Sequence, residues 1–250
     1  MKLILLLCFT GCFLCSFSQD KNQFFALDKN MNQTVLDSSK YILWIHEKED
    51  SNWQWDYYFT WGPLIKSTSF ADHDGTIKNG RFCLYNKDGN LDSTGFYDHG
   101  KKNGSFFKLK TFTPDSVKTL MQYDYNEDSL VKSIDLVAER LKNKNSDTTG
   151  ITKSEYPGGI SKWNYYLIHN LKYPDRAVTK EIQGQVRIHF MVDTAGNITD
   201  IYIYKSVEYS LDQESLRVIK NSGNWVPASK DGFKEKSYKL MPINYKLEVQ

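Results

Sequence analysis

The chain has 250 residues, of which 40% are hydrophobic and 25% are charged, with 32 basic and 30 acidic side chains. These proportions are close to globular averages, so they exclude a largely disordered chain and a polytopic membrane protein. The formal net charge of +2 excludes a global field that would recruit nucleic acid or an anionic membrane. Aromatic residues reach 14%, which favours a sheet-rich protein because flat rings pack well on pleated surfaces.

The first residues have the pattern of a targeting signal. A positively charged start precedes an apolar run at 3–17, and Ser16 and Ser18 occupy the positions that a signal peptidase reads. The pattern predicts a signal peptide at 1–18, cleaved before Gln19. A membrane-spanning helix needs about 20 apolar residues, so a retained anchor is the less favoured interpretation. We therefore expect the mature protein in the periplasm or cell envelope, with membrane contact only if it is lipidated or keeps its leader.

Cysteine use limits the chemistry of the mature chain. Three of the four cysteines lie in the leader, which leaves Cys83 alone. A single thiol excludes an intramolecular disulfide framework and a cysteine-based zinc site. The apolar neighbours of Cys83 indicate a strand, so we expect a structural residue. The Thr10-Gly11-Cys12 step leaves lipidation at Cys12 as an alternative.

Residues 24–125 have the pattern of short strands separated by turns. The sequence NGRFCLY at 79–85 recurs 24 residues later as NGSFFKL at 103–109. The Asn-Gly and Asp-Gly pairs of this region supply the positive φ angles that tight hairpin turns require. The pattern therefore predicts an antiparallel β-meander within a first domain at 19–145.

These repeats resemble MORN-type repeats of the YwqK antitoxin-like family, well over 75–125 and loosely over 41–74. The resemblance implies a sheet that docks a protein or touches lipid. A purely structural meander, whose rings form a core, explains the same residues and remains open.

A change of periodicity predicts that the first domain closes with an amphipathic helix from Asp128 to Lys144. The apolar residues that recur at helical spacing are Leu130, Ile134, Val137 and Leu141. The polar, glycine-containing stretch that follows predicts a linker at 146–154.

The remaining residues, 155–250, predict a second domain with the element order α-α-β-β-α-β. Helical spacing over Ile160–Leu171 ends at Tyr173-Pro174, and Asp175 can cap a short second helix that runs to Glu181. Alternating residues predict a hairpin of strands at 186–192 and 198–205, followed by a helix over 211–219. The last strand, at 238–249, is interrupted by Pro242.

This second domain resembles a known family. The strings that carry the resemblance are EYPGG at 155–159, NLKYP at 170–174, IQGQV at 182–186, FMVD at 190–193, GNI at 196–198, WVPA at 225–228 and PINYKL at 242–247. They are similar in order and spacing to the TonB C-terminal domain family. The resemblance implies an α+β fold, with a three-stranded antiparallel sheet and helices on one face. It also implies capture of a peptide from an outer-membrane, TonB-dependent transporter, which adds as a further strand along the last strand.

A proline in the last strand supports this binding mode. Pro242 lacks a backbone donor, so the last strand should lie at a sheet edge or contain a bulge. An edge exposes unpaired N–H and C=O groups on which an extended peptide can add. The predicted partner-binding edge and its flanks consist of Tyr173, Pro174, Tyr238, Lys239, Leu240, Met241, Pro242, Ile243, Asn244, Tyr245, Lys246 and Leu247.

The departures from the family bear on function. The leader resembles a cleavable signal, the chain has six prolines, and a β-rich domain replaces a proline-rich spacer. We therefore expect an exported binding protein for an outer-membrane transporter or another envelope partner. A full energy transducer with a retained anchor, and a structural adaptor that binds through the meander, remain alternatives. A homodimer joined through the last strand is also open.

The sequence does not favour an enzyme. The five histidines show no spacing typical of a zinc, nucleophile or phosphate-binding motif. A hydrolase hidden in the meander is the least favoured alternative. We expect no cofactor, no metal and no nucleic-acid partner.

Overall fold

A computed structural model of the chain describes residues 21–113, 116–142 and 150–247. The predicted signal peptide with its three cysteines, the linker residues 146–149 and the end of the predicted last strand at 248–249 lie outside the described residues. Among the residues described, no helix has both the length and the apolar character needed to cross a membrane. The described chain is an α+β protein in which an antiparallel meander precedes a smaller helix-covered sheet.

The elements of the meander come first in the chain. They are β1 (Asn22–Leu27), a 3₁₀ turn (Leu36–Ser38), β2 (Tyr41–Glu47), β3 (Trp53–Phe59), β4 (Leu64–Phe70), β5 (Lys78–Tyr85), β6 (Leu91–Asp98), β7 (Lys101–Lys102), β8 (Gly104–Thr113), β9 (Ser116–Asn126), β10 (Ser129–Asp135) and α1 (Leu136–Lys142). The strands follow one another in the sheet in chain order, with the short β7 beside β6. All neighbours are antiparallel, as the repeat predicts.

The elements of the C-terminal unit follow. They are β11 (Ile151–Thr152), α2 (Gly159–Asn170), α3 (Asp175–Thr179), β12 (Gly184–Val192), β13 (Ile198–Lys205), α4 (Tyr209–Lys220), β14 (Ala228–Lys230), β15 (Phe233–Glu235) and β16 (Ser237–Tyr245). In the described residues β12 lies between β13 and β16, and β11, β14 and β15 form a separate small sheet.

The main sheet of the C-terminal unit buries one face under its helices. Along β12 the side chains of Val186, Ile188, Phe190 and Val192 are all fully buried, which confirms the predicted alternation. They share a core with Trp163 of α2 and with the apolar side of α4. Each fully buried side chain of this size contributes about 1.5–3 kcal/mol, so this face holds the unit together.

The predicted helix from Asp128 to Lys144 is wrong over its first half. Residues Ser129–Asp135 form β10, which pairs with β9, and the helix begins at Leu136. The reason is the turn at Glu127 and Asp128, whose φ angles of 46° and 71° reverse the chain into a hairpin. Leu130 is 55% exposed, so it is not part of a buried helical stripe.

Within the described part of the predicted linker, Ile151 and Thr152 pair with Lys230 and Ser229. The start of the predicted second helix of this domain needs a correction. The short helix α3 begins after Pro174, which occupies the N-cap position without a side-chain hydrogen bond, so Asp175 is its first helical residue rather than its cap.

The meander and the C-terminal unit share one apolar core. The cluster that contains Trp163 and Phe190 also contains Tyr58, Leu64 and Tyr85 of the meander. Polar contacts cross the same junction. The Tyr85 hydroxyl donates to the Ile203 carbonyl at 2.7 Å, and the backbone N–H of Leu64 donates to Ser206 Oγ at 2.7 Å.

Tyr209, the first residue of α4, fixes the helix against the meander. Its ring meets those of Phe24, Trp44 and Tyr58 edge-on, at centroid distances of 5.3, 5.3 and 5.6 Å. Such edge-to-face pairs add to the area that the rings bury. The first turn of α4 is therefore packed directly on the meander.

Gly89 lets the two units approach each other. It sits in the turn between β5 and β6 with a φ of +75°, and a Cβ there would lie 2.3 Å from the Ser206 carbonyl oxygen. The N–H of Ser206 donates to the Gly89 carbonyl at 2.8 Å. Only glycine satisfies both the left-handed turn and the close backbone contact.

Replacing Tyr85 with Phe tests the junction. The substitution leaves the buried Ile203 carbonyl without its donor, so we expect the free energy of unfolding to fall by about 1–2 kcal/mol. The measurement is urea denaturation followed by circular dichroism. Tyr165→Phe is the matched control, because Tyr165 is 62% exposed. Loss of its hydroxyl should change the free energy of unfolding by less than about 0.5 kcal/mol. Equal effects of the two substitutions would contradict the account of the junction.

Candidate functional site

The main sheet of the C-terminal unit has two different edges. At one edge, β13 meets the meander through a bridge between Asn90 and Lys205 and through the Ser206–Gly89 hydrogen bond. At the other edge, β16 pairs with β12 through nine residue pairs, from Gly184–Tyr245 to Val192–Ser237. In the described residues no strand pairs with the far side of β16. The structure thus places the last strand at an open edge.

The side chains of β16 alternate between the core and the solvent. Met241, Ile243 and Tyr245 point inward and are at most 8% exposed. The Tyr245 hydroxyl donates to the Leu211 carbonyl at 3.2 Å, which ties the strand to α4. Burial raises the pKa of Tyr245. Of the predicted site residues, these three have their side chains in the core and cannot offer them to a partner.

The outward residues form the accessible surface of the edge. Tyr238, Leu240, Pro242 and Asn244 are all exposed. The amide oxygen of Asn244 accepts a hydrogen bond from Gln185 Nε2 at 2.8 Å. The outward surface is therefore aromatic and apolar along most of the strand and polar at its end.

Tyr173, Lys239 and Lys246 differ in how accessible their side chains are to a partner. The Tyr173 ring packs edge-on against Tyr245 at 5.5 Å, and its hydroxyl donates to the Ile182 carbonyl at 2.6 Å. Lys239 is not free to meet a partner, because its ammonium donates to the Ser154 carbonyl and burial lowers its pKa. Lys246 is exposed just beyond the strand.

The sequence analysis did not predict the contacts that link His189 and Tyr238, on the solvent-facing side of the C-terminal sheet, to the meander. His189 of β12 stacks on the Tyr238 ring at 4.9 Å, and the Tyr238 hydroxyl donates to Asp200 at 3.1 Å. Asp200 also pairs with Arg81 of the meander, whose guanidinium lies 4.1 Å from the Tyr202 ring centroid. The alternation along β12 predicts the side of the sheet on which His189 lies, but it does not predict these partners, because they are distant in sequence.

His189 adds no positive charge to this surface at neutral pH. Burial, and after it the nearby Arg81 guanidinium, lowers its pKa to about 4. The solvent-facing side of the C-terminal sheet beside Tyr238 is therefore an aromatic surface with a neutral imidazole.

The meander holds one buried His–Asp pair. His46 Nε2 lies 3.3 Å from Asp56 Oδ2, and the His46 ring stacks on Trp44 at 3.5 Å. Burial lowers the pKa of His46 to about 4 and raises that of Asp56 to about 6. At neutral pH the pair is a neutral imidazole beside a carboxylate that Gln54 also contacts. These surroundings are those of a structural polar network.

Cys83 is a free, buried cysteine of the meander. Cys83 is 1% exposed, and burial raises the pKa of its thiol, which confirms a structural residue. Within the described ranges, no group of three or more His, Cys, Asp or Glu side chains is placed to hold a metal ion.

The fold and the edge together define a class of protein: a small α+β unit whose antiparallel sheet ends, within the described residues, in a strand with no partner on its outer side. Such edges are surfaces on which extended peptides can add. Residues 169–247, which are 79 of the 250, match the family model described as Gram-negative bacterial TonB protein C-terminal. Residues 169–247 therefore match the TonB C-terminal domain family, as their sequence strings indicate. This family is non-enzymatic and transport-related, and it belongs to the periplasm and cell envelope.

The chain is similar to the NMR solution structure of the Helicobacter pylori TonB-CTD at 25% identity, with 38% of this chain and 91% of that chain covered and a TM-score of 0.29. No curated protein matches the chain. The resemblance of the meander to MORN repeats stays a prediction.

The His46–Asp56 pair predicts opposite pH effects in two variants. In Asp56→Asn, the unfolded state binds a proton at His46 that the folded state does not bind, so stability should fall as pH drops from 6.5 to 4. In His46→Gln, Asp56 keeps its proton in the folded state up to about pH 6, so stability should fall as pH rises from about 4 to 6. Each effect amounts to at most about 3–3.5 kcal/mol, at roughly 1.4 kcal/mol per pKa unit.

The measurement is urea denaturation of both variants at half-unit pH steps. Contributions of all other groups cancel in the difference between the two curves, so that difference should slope steeply through this range. Parallel curves would show that the pair has ordinary pKa values.

Proposed function

We propose that this protein is an exported envelope protein whose TonB C-terminal domain captures an extended segment of an outer-membrane, TonB-dependent transporter or another envelope protein. The captured segment adds as a further strand along β16. The observation that carries the proposal is the position of β16 at the open edge of a sheet whose other edge meets the meander. Edge strands offer unpaired N–H and C=O groups to an incoming backbone.

Pro242 indicates which main-chain groups face the partner. In an antiparallel pair, alternate residues direct their N–H and C=O groups toward the neighbour and away from it. Proline in a strand is tolerated where its missing N–H would face the open side. Pro242 pairs with Arg187 in an unbroken register, so we infer that residues 238, 240, 242 and 244 direct their main chain outward.

The surface beside these groups limits the partner. A strand added along β16 would place alternate side chains over Tyr238, Leu240 and Pro242, which favour aromatic or aliphatic neighbours. Beyond Asn244 the exposed Lys246 favours an acidic or polar residue. The proposed ligand is an extended segment with apolar residues at alternate positions and an acidic residue near one end.

The exported location belongs to the same proposal. The apolar run at 3–17 and the small residues before Gln19 support a cleaved leader, which would release the domain from the inner membrane. Released protein would bind its partner without transmitting force from an inner-membrane motor.

Photo-crosslinking in the native host tests the edge. A photoreactive amino acid at Leu240 or Asn244 should yield an adduct with an outer-membrane transporter or another envelope protein, identified by mass spectrometry. The matched control is the same amino acid at Tyr165, which is exposed on α2. Adducts from the control position alone, or none from β16, would contradict the proposal.

A second variant separates main-chain pairing from simple proximity. Leu240→Pro removes an N–H that we assign to the open side while leaving the β12 ladder intact. We expect at least a tenfold loss of the Asn244 adduct with a melting temperature changed by only a few degrees. Leu240→Ala, which keeps the N–H, should retain most of the adduct.

The N-terminus of the protein purified from the host envelope tests export. We expect mature chains that begin at Gln19, measured by intact mass and N-terminal sequencing. Chains that keep Met1 would support the energy transducer with a retained anchor instead.

A further inference from the structure

The meander has a second face, opposite the one that packs on the C-terminal unit. Strand alternation places Tyr58 toward the C-terminal unit and its neighbours Tyr57 and Phe59 on the opposite side. We call this opposite side the outer face. At the end of β2, β3 and β4 it contains a concave pocket of about 430 Å³, within the range of about 300–1,000 Å³ that is typical of small-molecule sites. Its lining residues are Met31, Tyr41, Tyr57, Phe59, Ile65 and Lys66.

The walls of the pocket follow from strand pairing. Tyr41 is opposite Phe59 in the register, and their rings lie 5.7 Å apart. The register between β3 and β4 shifts at Tyr57 and Tyr58, which leaves Ile65 as an extra residue beside Lys66. Such a bulge redirects side chains, and here both Ile65 and Lys66 line the pocket.

A structured turn supplies the rim. Asp28 Oδ1 accepts hydrogen bonds from the N–H groups of Asn30 and Asn32, at 2.8 and 2.9 Å. Met31 sits between them with a φ of 66° and is 50% exposed. The turn thus holds an unbranched, polarisable side chain over an aromatic wall, a residue type that adapts well to apolar ligands.

The pocket carries positive charge without an acidic counterpart. The Lys66 ammonium lies 5.7 Å from the Tyr57 ring centroid, and the Lys40 ammonium lies 5.5 Å from that of Tyr41. No carboxylate lines the pocket, and in the described ranges Lys66 forms no ion pair. Burial, and after it the neighbouring Lys78, lowers the pKa of Lys66. An unpaired, half-buried ammonium is stabilised by any anion that reaches it.

We propose that this pocket binds a small amphiphilic carboxylate, with its carboxylate on Lys66 and its apolar body between Tyr41, Phe59 and Met31. The single half-buried ammonium matches one negative charge, whereas a dianionic phosphate would keep an uncompensated charge against apolar walls. The site is independent of β16, so its failure and that of the proposed peptide capture are distinguishable.

Calorimetric titration of the full chain with decanoate tests the site. We expect saturable binding with one site per chain, and at least tenfold weaker binding of decanol and of decyltrimethylammonium, which keep the chain but lose the negative charge. Lys66→Met should weaken decanoate binding at least tenfold. Lys108→Met is the matched control on the outer face, because Lys108 is exposed on β8 outside the pocket lining, and it should bind as the parent does.

Methionine-methyl NMR of the unsubstituted protein keeps the test independent of variant folding. Decanoate should shift the Met31 methyl signal and leave that of the buried Met241 unchanged. Three outcomes would overturn the proposal: equal affinity for decyltrimethylammonium, unchanged decanoate binding by Lys66→Met, or binding to phosphatidylglycerol vesicles in the absence of any decanoate binding.

Discussion

The arrangement of the C-terminal unit depends on β12, which lies between two unlike neighbours, β13 and β16. Its inward side chains are fully buried, so the strand cannot shift by one residue without exposing that whole face. This fixes the register of β16 as well, and with it the set of β16 residues that face outward. On the opposite side, the end of β13 meets the turn at Gly89 and Asn90 of the meander, whereas no described strand pairs with the outer side of β16. A single strand register therefore links the core of the domain to its proposed binding edge.

Buried polar groups hold the two units in this arrangement. Glu208 caps α4 by accepting from the N–H of Ser210 at 2.8 Å, and it pairs with Arg176 at 2.5 Å. Arg176 also donates to the Thr60 carbonyl of the meander. Asp212, whose pKa burial raises well above its usual range, lies 2.5 Å from Ser206 Oγ, the atom that accepts the Leu64 N–H. Buried groups that satisfy one another's hydrogen bonds in this way specify one geometry. This favours a C-terminal unit held rigidly against the meander over one on a flexible tether.

The features that depend on the local spacing of apolar residues could be predicted from the sequence. The alternation along β12, the helices α2 and α4, and the position of the last strand at an edge all follow from spacing and from one proline. The resemblance to the family added the three-stranded antiparallel sheet with helices on one face. The helix over 128–135 was wrong because a spacing of i and i+4 also occurs in an alternating strand, and a two-residue turn decided between them. The Arg81–Asp200 pair and the pocket at Lys66 were missed because they join residues whose proximity only the assembled sheet creates.

Amide hydrogen exchange along β16 tests the central claim most directly. In the free protein the N–H groups of Met241, Ile243 and Tyr245 should exchange slowly because they face β12, while those of Tyr238, Leu240 and Asn244 should exchange quickly. When the crosslinked partner, or a peptide made from its crosslinked segment, is added, the second group should become protected and the first should change little. Protection of all six amides before the partner is added, or no gain at Tyr238, Leu240 and Asn244 after it, would contradict an open edge completed by another polypeptide.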